Sequence, residues 1–292
     1  MLQAIICIGL FFFSMLLFSE TWAIDPGTAS GTLKVDADTV TLNHSYAHLH
    51  DNAERWLDTP KEMRILLADR EVSEQSLAGL NVFMTLSEMV RQNKIRGVLL
   101  RFDPAKPNAI IATVLYPPKN PQQALSNETL SDSSKSPIDK LKISALRVTG
   151  AMAHHTDGNA DFDWPTVDCK FDFSAPLFNE PAVTASLTGK QALDSVQVKA
   201  VLAKAKALAK GDLKAAEQYS TQRSNRETEA FMAQAGAEAP KMAKQMGAEM
   251  EKELKKGKLR LVVRGSTAAL IIGEKGATLL NLVLEGDSWK VD

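Results

Sequence analysis

Two cysteines in 292 residues exclude a fold stapled by disulfides: Cys7 lies in an apolar N-terminal run, and Cys169 is left without an intrachain partner once that run is removed. A charge imbalance is missing as well. There are 34 Lys and Arg against 35 Asp and Glu, and Glu20 falls in the N-terminal run, so the remainder carries 34 of each sign. Such a chain has no basic field to attract nucleic acid or anionic lipid, and no nucleic-acid partner is expected. No histidine follows His155. The chain also lacks a serine nucleophile elbow, a phosphate-binding glycine loop and a metalloprotease helix motif, and it calls for no cofactor.

What is present begins with residues 1–23, MLQAIICIGLFFFSMLLFSETWA. The apolar stretch from Ala4 to Phe18 is shorter than the roughly 20 residues of a stable membrane span, and Ala23 offers a small residue at a cleavage point. This predicts a signal peptide, a periplasmic or secreted protein, and no stable span after processing. No Lys or Arg precedes the run, where a signal peptide ordinarily carries one, and an uncleaved N-terminal anchor is the alternative reading. The 269 residues that remain are enough for two domains.

Residues 24–188 read as a β-rich domain. Leu33, Val35, Val40 and Leu42 alternate with polar residues around Asp36-Ala37-Asp38, which predicts a hairpin with one buried face. Further period-two runs cover 64–68, 95–102, 109–116, 141–152 and 167–173. One helix interrupts them, capped by Ser73 and carrying Leu77, Leu80, Phe83, Met84 and Val90 on a broad face. The segment 117–137 is so rich in Pro, Ser, Asn and Gln that it reads as a long mobile loop, with a glycosylation sequon at Asn127-Glu128-Thr129.

Composition shifts to Ala and Lys at 189–195, where a second domain, 189–292, is expected to begin. Val198, Val201, Leu202, Ala205 and Leu208 form a helical stripe that ends at Lys210-Gly211, and Asp212 caps a short second helix. A longer helical stretch runs from about 225 to 256 with a break at 236–240, and strands are predicted at 258–264, 268–272, 278–284 and 288–291. The predicted fold class is therefore α+β: a β-rich sheet or sandwich with one helix, then helices followed by an antiparallel sheet closing into a cone. Trp289 is the largest group available to fill that cone.

Leu208-Ala-Lys-Gly-Asp212 in a helical pair, Val263-Arg-Gly-Ser-Thr-Ala268 at a turn between strands and the terminal Leu282-Val-Leu-Glu-Gly-Asp-Ser-Trp-Lys-Val291 resemble, in their order and spacing, the nuclear transport factor two-like superfamily. The resemblance covers roughly the last 100 residues. It implies a curved sheet wrapped around helices, often with a pocket in the cone, in a superfamily that holds both enzymes and binding modules. The chain departs from the enzymatic members in placing no histidine, and no buried Asp or Tyr as acid and base, in this domain. The first domain is similar to N-terminal regions of uncharacterised exported bacterial proteins through Leu42-Asn-His-Ser-Tyr-Ala47, Val148-Thr-Gly150 and Phe171-Asp-Phe-Ser-Ala-Pro176.

His44, His48 and His50 share strand parity with Tyr46, so an unbroken strand sets all four on one face, and they are the candidate metal ligands. The same parity continues the apolar face of Val40 and Leu42, which makes a core histidine the competing and favoured reading. Cys169 shares a face with Val167, Phe171 and Phe173 and reads as core filling. Met242, Met246, Met250 and Leu254 recur at about four-residue spacing and read as a packed helix face rather than a copper site. The sequence thus predicts an exported noncatalytic protein that binds a small apolar ligand, a peptide, or a protein partner including a second copy of itself, through its C-terminal domain. An isomerase- or hydrolase-type enzyme and a structural component of the cell envelope are the alternatives.

Overall fold

The computed structural model describes residues 27–54, 57–118, 125, 127–131, 136–159, 164–273 and 278–292. The expected signal peptide lies outside the described residues. Alternation of apolar and polar residues shapes the strands of the first unit: β1 (Thr28–Val35), β2 (Asp38–Asp51), β3 (Lys61–Ala68), β4 (Gly97–Phe102), β5 (Ala109–Leu115), β6 (Asn127–Ser131), β7 (Asp139–Ile143), β8 (Arg147–Thr156) and β9 (Val167–Asn179) make one nine-stranded sheet. Its order is β6-β5-β4-β3-β2-β1-β9-β8-β7, curled into an antiparallel half-barrel. Where β1 begins, β2 and β9 close together and pair in parallel from Ala47 with Leu177 to Leu49 with Asn179.

One core runs along the whole sheet through Leu33, Leu42, Ala47, Ile65, Leu100, Val148, Phe171 and Phe173. A second core forms on the opposite face, where the helix α1 (Val82–Arg91) lays Val82, Leu86 and Val90 over Leu66, Leu99 and Leu115. The expected single helix from Ser73 is two pieces, a short 3-10 turn at Glu74–Leu77 and α1, and the Ser73 side chain makes no cap. The expected loop at 117–137 contains the edge strand β6, whose Leu130 is buried and whose Asn127 meets the buried Thr113 hydroxyl at 2.5 Å. Composition missed it because an edge strand needs only one apolar residue facing the core.

The second sheet has the order β10-β11-β12-β13-β14, from β10 (Ala185–Thr188), β11 (Leu259–Arg264), β12 (Thr267–Ile272), β13 (Thr278–Glu285) and β14 (Ser288–Val291). Between β10 and β11 come α2 (Gly189–Leu193), α3 (Val196–Lys210), α4 (Leu213–Glu217), α5 (Gln222–Ala235) and α6 (Ala239–Lys255). Several local signals act as read: Gly211 takes a left-handed φ of 80° at the end of α3, the Asp212 carboxylate accepts the Ala215 N–H, and Pro240 sits in the first turn of α6 after a 3-10 turn at Gly236–Glu238. Val198, Val201 and Leu254 cover Leu261, Leu270 and Leu282, with Trp289 half-buried at the edge of that core.

The α+β expectation is corrected by this arrangement. The protein is mostly β, 44 % strand against 30 % helix, and the first unit is a single curled sheet rather than a sandwich. Nor do the helices simply precede the second sheet. Its first strand, β10, comes before them and pairs with β11 from Ala185 with Val263 to Thr188 with Arg260. The sequence hid this because β10 is four residues long, polar at every other position, and gains its register only from a strand some 75 residues later.

Candidate functional site

The histidines of β2 do not continue the face of Val40 and Leu42. Those two side chains join the core that runs along the whole sheet, and so does Ala47, whereas Tyr46 joins the core beneath α1. The inward parity of β2 therefore changes between Leu42 and Ala47. There β1 carries an irregularity between Thr28 and Gly31, pairing Thr28 with His44 and Gly31 with Leu42, so three residues of one strand span two of the other. A bulge of this kind re-aims every side chain that follows it.

His48 and His50 are aimed at one carboxylate. Glu180, in the first position after β9, accepts on a single oxygen, Oε1, from His48 Nε2 at 3.1 Å, from His50 Nδ1 at 2.7 Å and from the Gly79 N–H at 2.8 Å. Both rings and the carboxylate are buried. Burial by itself would raise the Glu180 pKa, but the bonds from His48, His50 and Gly79 outweigh it and hold the carboxyl far below its ordinary value of 4.5. Beside them Arg64, in register with His48, donates to Glu62 and to the carbonyls of Leu77 and Gly79. Burial lowers its pKa, and Glu62 offsets part of that loss.

The same cluster joins the two units. Arg264, the last residue of β11 and buried, donates to Glu54 Oε1 at 3.1 Å, to the Asp51 carbonyl at 2.6 Å and to the Pro181 carbonyl at 2.9 Å. A cavity of about 410 Å³ lies against it, between residues 78–85 of the first unit and the face of the second sheet carrying Val262, Ala269 and Asn281. His50 Nε2 and Glu54 Oε2, 3.8 Å apart, lack other partners among the described residues. This arrangement fixes charge at a joint. It sets no hydroxyl or thiol nucleophile beside a base, and Arg264 offsets Glu54 as the imidazoles offset Glu180.

His44 stands apart, four residues from His48 along an extended strand, or about 13 Å, too far for one metal ion to bridge. His154 and His155 are farther still. They pair with Cys169 and Asp168, nine or more residues along β9 from the Phe178 that pairs with His48, about 30 Å. His154 meets Glu128 and Thr156, while the exposed His155 lies between Asp168 and Asp157, which together raise its pKa. Among the described residues no set of three or more His, Cys, Asp or Glu side chains is placed to hold a metal. Cys169 is buried in the first core, and burial pushes its thiol up to about 11, where it is inert at neutral pH.

A second site lies on the helices. The face of α6 that packs is Ala239, Ala243, Gly247 and Leu254, so of the expected stripe Leu254 is buried, Met250 packs in part against the core of the second sheet, and Met242 and Met246 do not pack. A Cβ at Gly247 would lie 2.4 Å from Ala209 N and 2.6 Å from the Ala205 carbonyl, so the backbones of α3 and α6 touch and only small residues fit between them. That close approach turns Met242 and Met246 outward, which corrects the expectation of a packed methionine face. α5 buries none of its residues fully. Between α3, α4, α5 and α6 opens a groove of about 360 Å³, lined on its apolar stretch by Leu208, Leu213, Phe231, Met232, Met246 and Met250. Phe231 is 42 % exposed and Met246 49 %.

Sequence reasoning placed Arg264 in a strand but found none of Glu54, Arg64 or Glu180 as members of a site. The available signal was an Arg set against apolar strand residues, Met63-Arg64-Ile65 and Val262-Val263-Arg264, since a guanidinium there must find buried partners. No family model, curated protein or solved structure matches the chain. Among the described residues no helix is long and apolar enough to cross a membrane.

Proposed function

We propose that this chain is an exported, noncatalytic binding protein that takes an apolar ligand in the groove between α3, α5 and α6. The observation that carries the reading is the exposure of Phe231 and Met246 along a concavity of about 360 Å³, within the 300–1,000 Å³ typical of ligand sites. A relation to the nuclear transport factor two-like superfamily remains part of the proposal, with the ligand moved from the inside of a cone to the helical side. The isomerase or hydrolase alternative would require an acid and base in the groove. Its titratable side chains are Lys204 and the exposed Glu217, Glu227 and Glu229. Export rests on the apolar N-terminal run and its small residue at Ala23.

An environment-sensitive apolar dye tests the groove. Phe231→Ala combined with Met246→Ala is expected to abolish most of the dye's fluorescence gain without lowering the melting temperature much, because both side chains are partly exposed. Leu146→Ala, at an 81 % exposed leucine of the first unit, is expected to leave it intact. Equal loss from both variants, or loss from neither, would remove the groove as the site.

A further inference from the structure

The groove is polar at one end and apolar at the other. Along α5, Ser224, Asn225 and Thr228 face it first, and Phe231 and Met232 follow. Along α3, Lys204 comes first and Leu208 one turn later. The two gradients agree in direction: the Lys204 ammonium reaches Ser224 Oγ at 3.4 Å, while Met232 packs near Leu208. From Ser224 to Met232 the helix rises about 12 Å, the scale of a short alkyl chain.

Lys204 is the cation of the polar end, and among the described residues no carboxylate lies within salt-bridge distance of it. Burial draws its pKa down, and the charge of Glu227 offsets only part of that. Glu217, Glu227 and Glu229 stand at the rim with exposed side chains, where water and salt screen them. A lysine stem lying along apolar surface with its ammonium short of a full counter-ion is a receptor for an anion attached to an apolar chain.

Resting on the groove as the binding site, we propose that the ligand is a free single-chain amphiphile of the medium-chain carboxylate class, its carboxylate on Lys204 and Ser224 and its tail along Leu208, Phe231, Met232 and Met246. The carboxylate supplies the ammonium with a counter-ion at salt-bridge distance, and the tail covers the exposed ring of Phe231 and the thioether of Met246. A neutral chain of the same length gains only the second of these.

Calorimetric titration of the mature chain with dodecanoate, dodecanol and dodecyltrimethylammonium, all below their micellar concentrations, tests the assignment. Dodecanoate is expected to bind about tenfold or more tighter than dodecanol, the usual gain from a charge-assisted hydrogen bond. Lys204→Met is expected to erase that difference while leaving dodecanol within about twofold, and Lys204→Arg to preserve it. If dodecanol matches dodecanoate in the parent protein, or the ammonium compound binds best, the head-group assignment is overturned and the apolar groove stands. If none of the three binds, the groove reading itself falls. Should Lys204→Met fail to fold, the three-ligand comparison in the parent and in Lys204→Arg decides the matter alone.

Discussion

The two units bury opposite kinds of residue. In the nine-stranded sheet the large side chains, Phe171, Phe173, Leu33 and Ile65, are inside, and the buried charges gather at one end, on Glu180, Arg64 and the bond from Glu54 to Arg264. Where α3 crosses α6 in the second unit the inside belongs to Ala205, Ala243 and Gly247, and the large side chains Phe231, Met242 and Met246 of the helices face out. A sheet needs large residues because strand backbones stand well apart from whatever covers them, about 10 Å face to face. Two helices in backbone contact tolerate only small ones, so their flanks are left to form a groove.

The comparison breaks most severely at the joint. Arg264→Ala leaves Glu54 buried without its cation, and the expected loss is about 3–5 kcal/mol in denaturant unfolding, with both units released toward separate transitions. A loss under 1 kcal/mol would mean that the units are held by something other than this cluster. Next comes Gly247→Leu, which drives a side chain into Ala205 and Ala209 and should cost about 1–3 kcal/mol, confined to the second unit. If the variant melts like the parent, the two helices do not touch as described.

Acid sharpens the same contrast. The Glu180 carboxyl is depressed in the folded state, so its contribution is fully present above the ordinary value of 4.5 and is lost as pH falls below that toward the folded value. Stability should therefore decline on acidification below about pH 4.5, and Glu180→Gln should flatten that part of the profile while lowering stability at neutral pH. An unchanged acid limb in the variant would shift the sensitivity to other carboxylates. The smallest effect is expected at Met246→Ala, within about 0.5 kcal/mol because the side chain is half exposed. A cost above 2 kcal/mol would place this methionine in a core after all.

Local rules made most individual elements readable. The alternation at Leu33 to Leu42 gave a hairpin, Lys210-Gly211-Asp212 gave a stop and a start, and Pro240 marked a helix entrance. The runs at 64–68, 95–102 and 109–116 became β3, β4 and β5 with ends shifted by a few residues. The site was far less legible. Glu180 stands 132 residues from His48 and 101 from Gly79, and no spacing within either segment encodes their meeting.

Sequence by itself determined the balanced charge, the scarcity of cysteine, the apolar N-terminal run and most of the places where strands and helices form, because each depends on composition or on contacts within a few residues. Tertiary structure alone decided which face the histidines of β2 present, since an irregularity against β1 reverses the parity after Leu42. It decided that β10 opens the second sheet and that polar residues 127–131 edge the first, because strand pairing is settled by partners distant in sequence. And it decided that Met242 and Met246 face outward, because the approach of α3 to α6 at Gly247 leaves room between them for a hydrogen and not for a side chain.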